Sequence, residues 1–248
     1  IMSFNLSLET FKKKKKGCKQ IGIDIEEVVQ QLKDDNINYI DTGHDESLFG
    51  HRYLFYAQDH KLGLLPYVLK KLFLKRVEIN RALKAGEYKG DEVVAMEKRQ
   101  WAYKIILNSA YGAMGFSQFR LYKPEVADAI TYFARQALKF AVLKFNEYGH
   151  KTLYGDTDSI FVKSMGKTAE QMEQQLEIYN ESLKEDLVKK YNTGLQDEYM
   201  MMDLKFEYDM EKIYFGDSKK RYYGIVRDTG KKYIRGMNII RKDTPEFM

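Results

Sequence analysis

The sequence predicts an α+β fold: an antiparallel sheet with packed helices, plus a two-helix antiparallel hairpin. Two observations carry this. Stretches from Leu64 to Ala110 and from Pro124 to Gly149 place apolar residues at helical spacing, interrupted only by a short polar loop and by the segment before Pro124. Short alternating stretches then fill the C-terminal third, separated by Gly- and Asp-containing turns. A chain of 248 residues suits one large domain or two modest ones. No internal repeat is visible.

Taken in order, the first ~60 residues read as an irregular start. Lys12 to Lys16 is a five-lysine run, expected as a solvated loop tip. Asp24 to Leu32 has helical spacing, and Arg52 to Tyr56 alternates like a strand beside the turn-like Gly50. Leu65, Leu69, Leu72, Leu74 and Ile79 fall near helical spacing and predict a helix from Leu64 to about Lys84, broken by Gly86 and Gly90. A second helix follows from Asp91 to about Ala110. Two helices of this length joined by a short loop pair antiparallel as a hairpin about 30 Å long.

Pro124 suits the first turn of a third helix and Gly149 its C-terminal cap. Lys151 to Lys163 reads as two short apolar strands around an acidic turn. Thr168 and Gln171 form a capping-box pattern opening an acidic helix to about Tyr191. Four alternating stretches complete the chain: Met200 to Tyr208, Ile213 to Phe215, Arg221 to Val226, and Lys232 to Ile240. Asp228-Thr229-Gly230 supplies a turn between the last two.

Composition excludes several classes. Cys18 is the single cysteine, so there is no disulfide scaffold and no cysteine zinc cluster. His44, His51, His60 and His150 are scattered without paired ligand spacing. No apolar run approaches the ~20 residues of a membrane span, and no secretory leader is read at Ile1. These features predict a cytoplasmic protein, in the host cytoplasm for a viral chain, with no membrane partner. The net charge of +5 hides a local imbalance. Leu64 to Lys123 sums to +7 and Ser164 to Glu211 to −7, so a polyanion is expected on the first segment.

Three local patterns carry chemistry. Tyr154-Gly155-Asp156-Thr157-Asp158-Ser159 places two acids one residue apart at a hairpin tip. Adjacent carboxylates repel unless a cation neutralises them, and hard oxygen ligands suit Mg²⁺. Arg99, Gln100, Lys104, Asn108 and Tyr111 recur as a polar stripe ending in Gly112, offering a cation to phosphate and a ring to a base. Arg76 on the first helix adds a second cation across the hairpin. Lys219-Lys220-Arg221-Tyr222 opens a strand with the residues that suit a phosphate backbone. Taken singly, each is equally an Asp-rich turn, a solvated helix face and a solvated edge strand. Together they describe one nucleotidyl-transfer site.

At these residues the sequence resembles family B DNA polymerases. Lys104 to Gly112 is similar to motif B, K-x-x-x-N-S-x-Y-G. Tyr154 to Ser159 resembles motif C, Y-G-D-T-D-S, and Lys219 to Tyr222 the K-K-R-Y motif, in the family's order. Gly63-Leu64-Leu65-Pro66 leading to Arg76, then Arg120, Thr131 and Arg135, and Arg235 to Asp243, are similar to family segments around them. The resemblance covers the chain from about residue 60 and extends more thinly to residue 1.

The resemblance implies palm segments at 1–60 and 116–248 and a fingers hairpin at 61–115. It implies template-directed DNA synthesis on primer–template DNA with dNTPs and two Mg²⁺ ions. Asp156 and Asp158 would be catalytic carboxylates and metal ligands. Arg76, Lys104, Asn108, Tyr111 and Gly112 would bind the nucleotide. Lys219, Lys220, Arg221 and Tyr222 would bind DNA. Asn80 stands where the family has a lysine four residues after the arginine, with Arg81 next. Ile1 to Thr10 resembles the stretch just after motif A, D-x-x-S-L-Y-P-S. A second polypeptide or missing segment is therefore expected to carry the motif A carboxylate and an exonuclease domain, and the chain alone is expected to be inactive. A non-catalytic, nucleic-acid-binding polymerase subunit or remnant is the alternative. Reverse transcription fits poorly, because its Y-x-D-D places the acids side by side and it lacks the motif B helix.

Overall fold

The structure is a computed structural model and describes residues 1–15, 25–43, 52–191 and 197–237. It is mixed α and β, with all strand pairings antiparallel. Two compact units divide the chain: Ile1–Lys139 with Glu181–Met202, and Phe140–Asn180 with Asp203–Met248. The expected sheet is three separate small sheets. Cys18, His44, Gly50, His51 and the stretch from Asn238 to Asp243 lie outside the described residues.

In the first unit, β1 (Phe11–Lys15), β3 (Arg52–Tyr56) and β2 (Tyr39–Asp41) form a sheet in the order β1-β3-β2. The lysine run is thus mostly an edge strand rather than a loop tip. The partner overrides the local signal, because β3 is long enough to pair on both sides, and lysine is a residue that natural edge strands tolerate well. Helix α1 (Ile25–Asp34) lays Ile25, Val28, Val29 and Leu32 against Leu54 of β3. Their spacing puts all four on one face, so the predicted amphipathic helix is the covering layer of this sheet. Phe4 stacks on Phe133 at 3.9 Å, and Tyr191 meets both rings edge-on.

Helices α2 (Leu64–Ala85) and α3 (Asp91–Gly115) form the predicted hairpin. Gly86 ends α2 at φ 71°, its N–H donating to Leu83 O while Glu87 N–H donates to Ala82 O. That pair of bonds satisfies carbonyls that a helix end otherwise leaves open. Asp91 and Glu92 place negative charge in the first turn of α3, where the helix dipole favours it. Helix α3 runs five residues beyond the expected Ala110, through Gly112. Glycine there lowers helix propensity by only about 1 kcal/mol, too little to end a 25-residue helix.

The start of α2 is held by residues the sequence left unstructured. The N–H of Gly63 donates to Asn5 Oδ1 at 2.7 Å, that of Leu65 to Ser7 Oγ at 3.2 Å, and that of Leu64 to the Glu9 carboxylate. Pro66 has no N–H to satisfy. Asn5 is fully buried and its amide also donates to Tyr56 O and Lys61 O at 3.0 and 2.7 Å. Burial pushes the Glu9 carboxyl up, but hydrogen bonds from Ser7 and Leu64 and the nearby Lys61 outweigh it and hold it below the ordinary value. A carboxyl lowered on folding adds stability above its unfolded pKa, and that gain is lost as pH falls through the folded value.

In the second unit, β4 (Lys151–Asp156) and β5 (Ser159–Lys163) form a hairpin, and β6 (Met210–Phe215), β7 (Tyr222–Val226) and β8 (Lys232–Arg235) a three-stranded meander. Helix α4 (Pro124–Glu147) begins at the predicted proline, and the N–H groups of Gly149 and His150 close its last turn on Asn146 O and Phe145 O. Helix α5 (Ala169–Tyr191) opens with the predicted capping box: Thr168 N–H donates to Gln171 Oε1 at 3.0 Å and Gln171 N–H to Thr168 Oγ1 at 3.3 Å. The strand expected over Met200 to Tyr208 does not form. Ser3 Oγ takes the N–H of Met201, and the Asn180 amide binds both backbone groups of Leu204, so side chains occupy ladder positions.

Removing the cap should be visible in stability. Thr168→Ala is expected to lower unfolding free energy by about 1 kcal/mol with unchanged m-value, measured by urea denaturation.

Candidate functional site

The hairpin β4–β5 has a two-residue turn. Asp156 pairs with Ser159, leaving Thr157 and Asp158 at the tip. The N–H of Asp158 donates to Asp156 O at 2.6 Å, which closes a three-residue γ-turn about Thr157 at φ 55°. Positive φ is an outlier for a β-branched side chain, so the tip holds backbone strain of about 1–3 kcal/mol. Thr157 Oγ1 donates to Asp156 Oδ1 at 3.1 Å, and Ser159 Oγ to Asp156 O at 3.3 Å. Asp156 is half-buried and Asp158 exposed.

A ring cluster holds this hairpin against the meander. Tyr154 meets Phe215 at 5.2 Å, Tyr222 at 5.9 Å and Phe161 at 6.2 Å, while Phe161 meets Tyr222 edge-on at 5.1 Å. The Tyr154 hydroxyl emerges from the cluster and accepts the N–H of Lys220 at 3.0 Å. Lys220 sits at φ 64°, and its ammonium lies 3.8 Å from Asp156 Oδ2. Gly236 backs the same peptide: a Cβ there would stand 2.1 Å from Lys220 O. Sequence separation is 66 residues between Tyr154 and Lys220, yet backbone, ring and charge meet at one point.

The basic quartet divides here. Lys219 and Lys220 lie in the β6–β7 turn rather than in a strand, because left-handed Lys220 interrupts extended backbone, and β7 starts at Tyr222. Lys219, Lys220 and Arg221 are exposed. Tyr222 is 9% exposed among the rings, and burial followed by Tyr233 pushes its hydroxyl pKa up.

The helical hairpin carries the other candidate residues, in the first unit. Arg76 Nε donates to Gln100 Oε1 at 3.4 Å, linking α2 to α3 one turn before Lys104. The Lys104 ammonium lies 5.2 Å from the Trp101 ring centre. Asn108 and Tyr111 are exposed, and among the described residues nothing beyond the adjoining turns of α3 comes within 4 Å of a Cβ built on Gly112. The fold itself therefore does not demand glycine at 112, which leaves room for a ligand. Arg99 does not belong to the stripe. Five residues separate it from Lys104, which is about 140° of rotation, so the two point to different sides.

Asp156 and Asp158 bring hard oxygen donors together at an accessible tip, which fits a divalent cation such as Mg²⁺. Among the described residues no group of three or more His, Cys, Asp or Glu is placed to hold a metal. The pair fits part of an ion's ligand shell, the rest coming from substrate phosphates or a further carboxylate. No helix of the described residues is long and apolar enough to cross a membrane.

The family model of DNA polymerase family B matches residues 1–248. This chain belongs to DNA polymerase family B. The polymerase segment is 31% identical over 186 residues to a DNA polymerase of Pyrococcus glycovorans, covering 75% of this chain and 22% of that protein. It is 29% identical over 185 residues to DNA polymerase 2 of Aeropyrum pernix, covering 75% of this chain and 20% of that one. The DNA polymerase alpha catalytic subunit of Mus musculus is 25% identical over 189 residues, 74% of this chain and 12% of its own length. The chain thus spans about a fifth or less of the length of these curated relatives.

Reading this family B chain as sequence missed three features. The Tyr154 hydroxyl, the glycine at 236 and the Asn5–Ser7–Glu9 group all act on residues far along the chain. The only advance signal was for the last: Ser3, Asn5, Ser7 and Thr10 are small polar residues interleaved with apolar ones, and all four are buried.

The strained tip yields a prediction. Thr157→Gly is expected to raise stability by about 1 kcal/mol in urea unfolding, since relief of positive φ exceeds glycine's entropic cost. Gly236→Ala is expected to lower it by more than about 2 kcal/mol, because the new methyl meets backbone.

Proposed function

We propose that this chain works as the palm and fingers part of a DNA polymerase, with palm at 1–60 and 116–248 and fingers at 61–115. The observation that carries the reading is the Asp156–Asp158 turn with Lys220 fixed beside it by Tyr154. Two acids and a cation held by a cluster of packed rings are poor surface structure and good phosphoryl-transfer machinery.

The residues then act as follows. Arg76, Lys104 and Asn108 bind and orient the triphosphate of a dNTP, Lys104 as the main cation. Tyr111 and Gly112 line the nascent base pair, the open space over Gly112 admitting it. Lys219, Lys220 and Arg221 hold the primer–template backbone, and buried Tyr222 anchors the turn that carries them. The primer 3′-hydroxyl gives up its proton to water and its oxygen bonds the α-phosphorus as the bond to the bridging α–β oxygen breaks and pyrophosphate leaves. Asp156 and Asp158 would hold two Mg²⁺ ions, which when bound supply Lewis-acid activation of the attacking oxygen and charge neutralisation of the leaving group. The motif A carboxylate comes from outside these 248 residues in this reading.

Primer extension tests it. The chain alone is expected to extend a primed template negligibly, and addition of a polypeptide bearing motif A to restore Mg²⁺-dependent synthesis. Vigorous extension by the pure chain refutes the shared active site. Silence in the mixture with primer–template binding intact favours the non-catalytic subunit. Lys104→Ala is expected to weaken dNTP binding by about 10- to 100-fold and leave DNA affinity largely unchanged. Equal loss of both, measured by titration, counts against the assigned role.

A further inference from the structure

We infer that Asn5, Ser7 and Glu9 are positioning residues for nucleotide binding, acting by fixing the direction of helix α2 through its first amides. The inference rests on the proposed role of Arg76 and Lys104 in holding the triphosphate.

A helix leaves its first N–H groups without intrahelical partners, and local side chains usually cap them. Here no local side chain does: Gly63 occupies the N-cap position. Its N–H and those of Leu64 and Leu65 are each taken by a different side chain, 55 to 58 residues away, and Pro66 contributes none. Ser7 Oγ also donates to Glu9 Oε2 at 2.6 Å, so the acceptors are tied to one another. Thr10 Oγ1 donates to Asn5 O at 2.6 Å and accepts the N–H of Ser7 at 3.1 Å, which makes the turn rigid. Gly63 is pressed onto this turn, since a Cβ there would lie 2.7 Å from Ser7 Cβ. Three consecutive residues at the start of α2 are thus tied to one rigid turn, so together these bonds set its axis as well as its stability.

Among the described residues, few others on the hairpin are buried. Met114 alone is buried on α3. On α2 the burial near the base comes from Pro66, Leu69 and Lys70, the last paired with Glu198 and lying 4.0 Å from the Tyr199 ring centre. Arg76 stands twelve residues along the helix, about 18 Å from the cap, so a tilt of about 5° at the base moves it about 1.5 Å. Displacements of about 1 Å in a positioning group weaken catalysis and binding out of proportion to the bond lost.

The test uses the whole chain, with dATP binding in Mg²⁺, primer–template binding, and amide exchange at Leu64 and Leu65. Glu9→Ala is expected to weaken dATP binding about five- to tenfold, speed exchange at both amides, and leave primer–template affinity within about twofold. Glu9→Gln keeps the acceptor and is expected to recover most of the affinity. Gly63→Ala, which keeps every acceptor but pushes α2 off the turn, should reproduce the selective loss. Unchanged dATP affinity in Glu9→Ala despite faster exchange overturns the inference, leaving a purely structural cap. So does equal loss of dATP and DNA binding. If the unsubstituted chain binds DNA and protects both amides yet binds no dATP, the triphosphate assignment fails, and the inference with it.

Discussion

A helix in a folded chain must dispose of its first amide hydrogens, and in α2 that requirement is met from a distance. The three available N–H groups at its start find Asn5, Glu9 and Ser7 rather than water or a local cap. Leaving a donor unsatisfied and out of water costs about 1–3 kcal/mol, so the arrangement binds the beginning of the chain to the hairpin strongly enough to be a structural commitment. The β3 strand joins the same arrangement, because Asn5 also takes the carbonyl of Tyr56, its last residue. Central strand, polar turn and hairpin base in the first unit are therefore one hydrogen-bonded assembly.

The second unit solves a different problem. Two carboxylates at a strained hairpin tip repel each other, and the turn that carries them is a poor one for threonine. Its position is held by aromatic burial: Tyr154, Phe161, Phe215 and Tyr222 form a cluster joining hairpin to meander. The Tyr154 hydroxyl uses its place at the edge of that cluster to fix Lys220, and Gly236 permits the close approach. The strain at the tip is thus paired with rigidity beneath it, the arrangement expected where geometry serves chemistry.

Membership of DNA polymerase family B and the proposed division of labour agree on what each part needs. The proposed grip on a triphosphate needs a cation on a helical surface with space beside it, and Lys104 shares α3 with the exposed Asn108, Tyr111 and Gly112. Metal-dependent phosphoryl transfer asks for hard oxygen donors with room for substrate phosphates, and Asp156 with Asp158 offers two acids and an open tip. Lys104 to Gly112 lie on one helix and Asp156 with Asp158 on one hairpin, which is why short motifs could carry the resemblance.

Both ends of α2, the capping box at Thr168, the proline at the start of α4 and the acidic turn between β4 and β5 were legible in the sequence. In each, the signal and the structure lie within a few residues of one another, so propensity and hydrogen bonding act locally. The same holds for the candidate residues Lys104, Asn108, Asp156, Asp158 and Lys219 to Tyr222, whose spacing is the motif. Tertiary structure alone decided that the lysine run pairs as a strand, that Met200 to Tyr208 does not, and that the strands divide into three sheets. It alone placed Lys220 under Tyr154 and against Gly236, and the acceptors of residues 5 to 9 at the head of α2. The physical reason is common to these: a backbone N–H donates to any well-placed oxygen, and which oxygen arrives depends on contacts between residues tens to hundreds of positions apart.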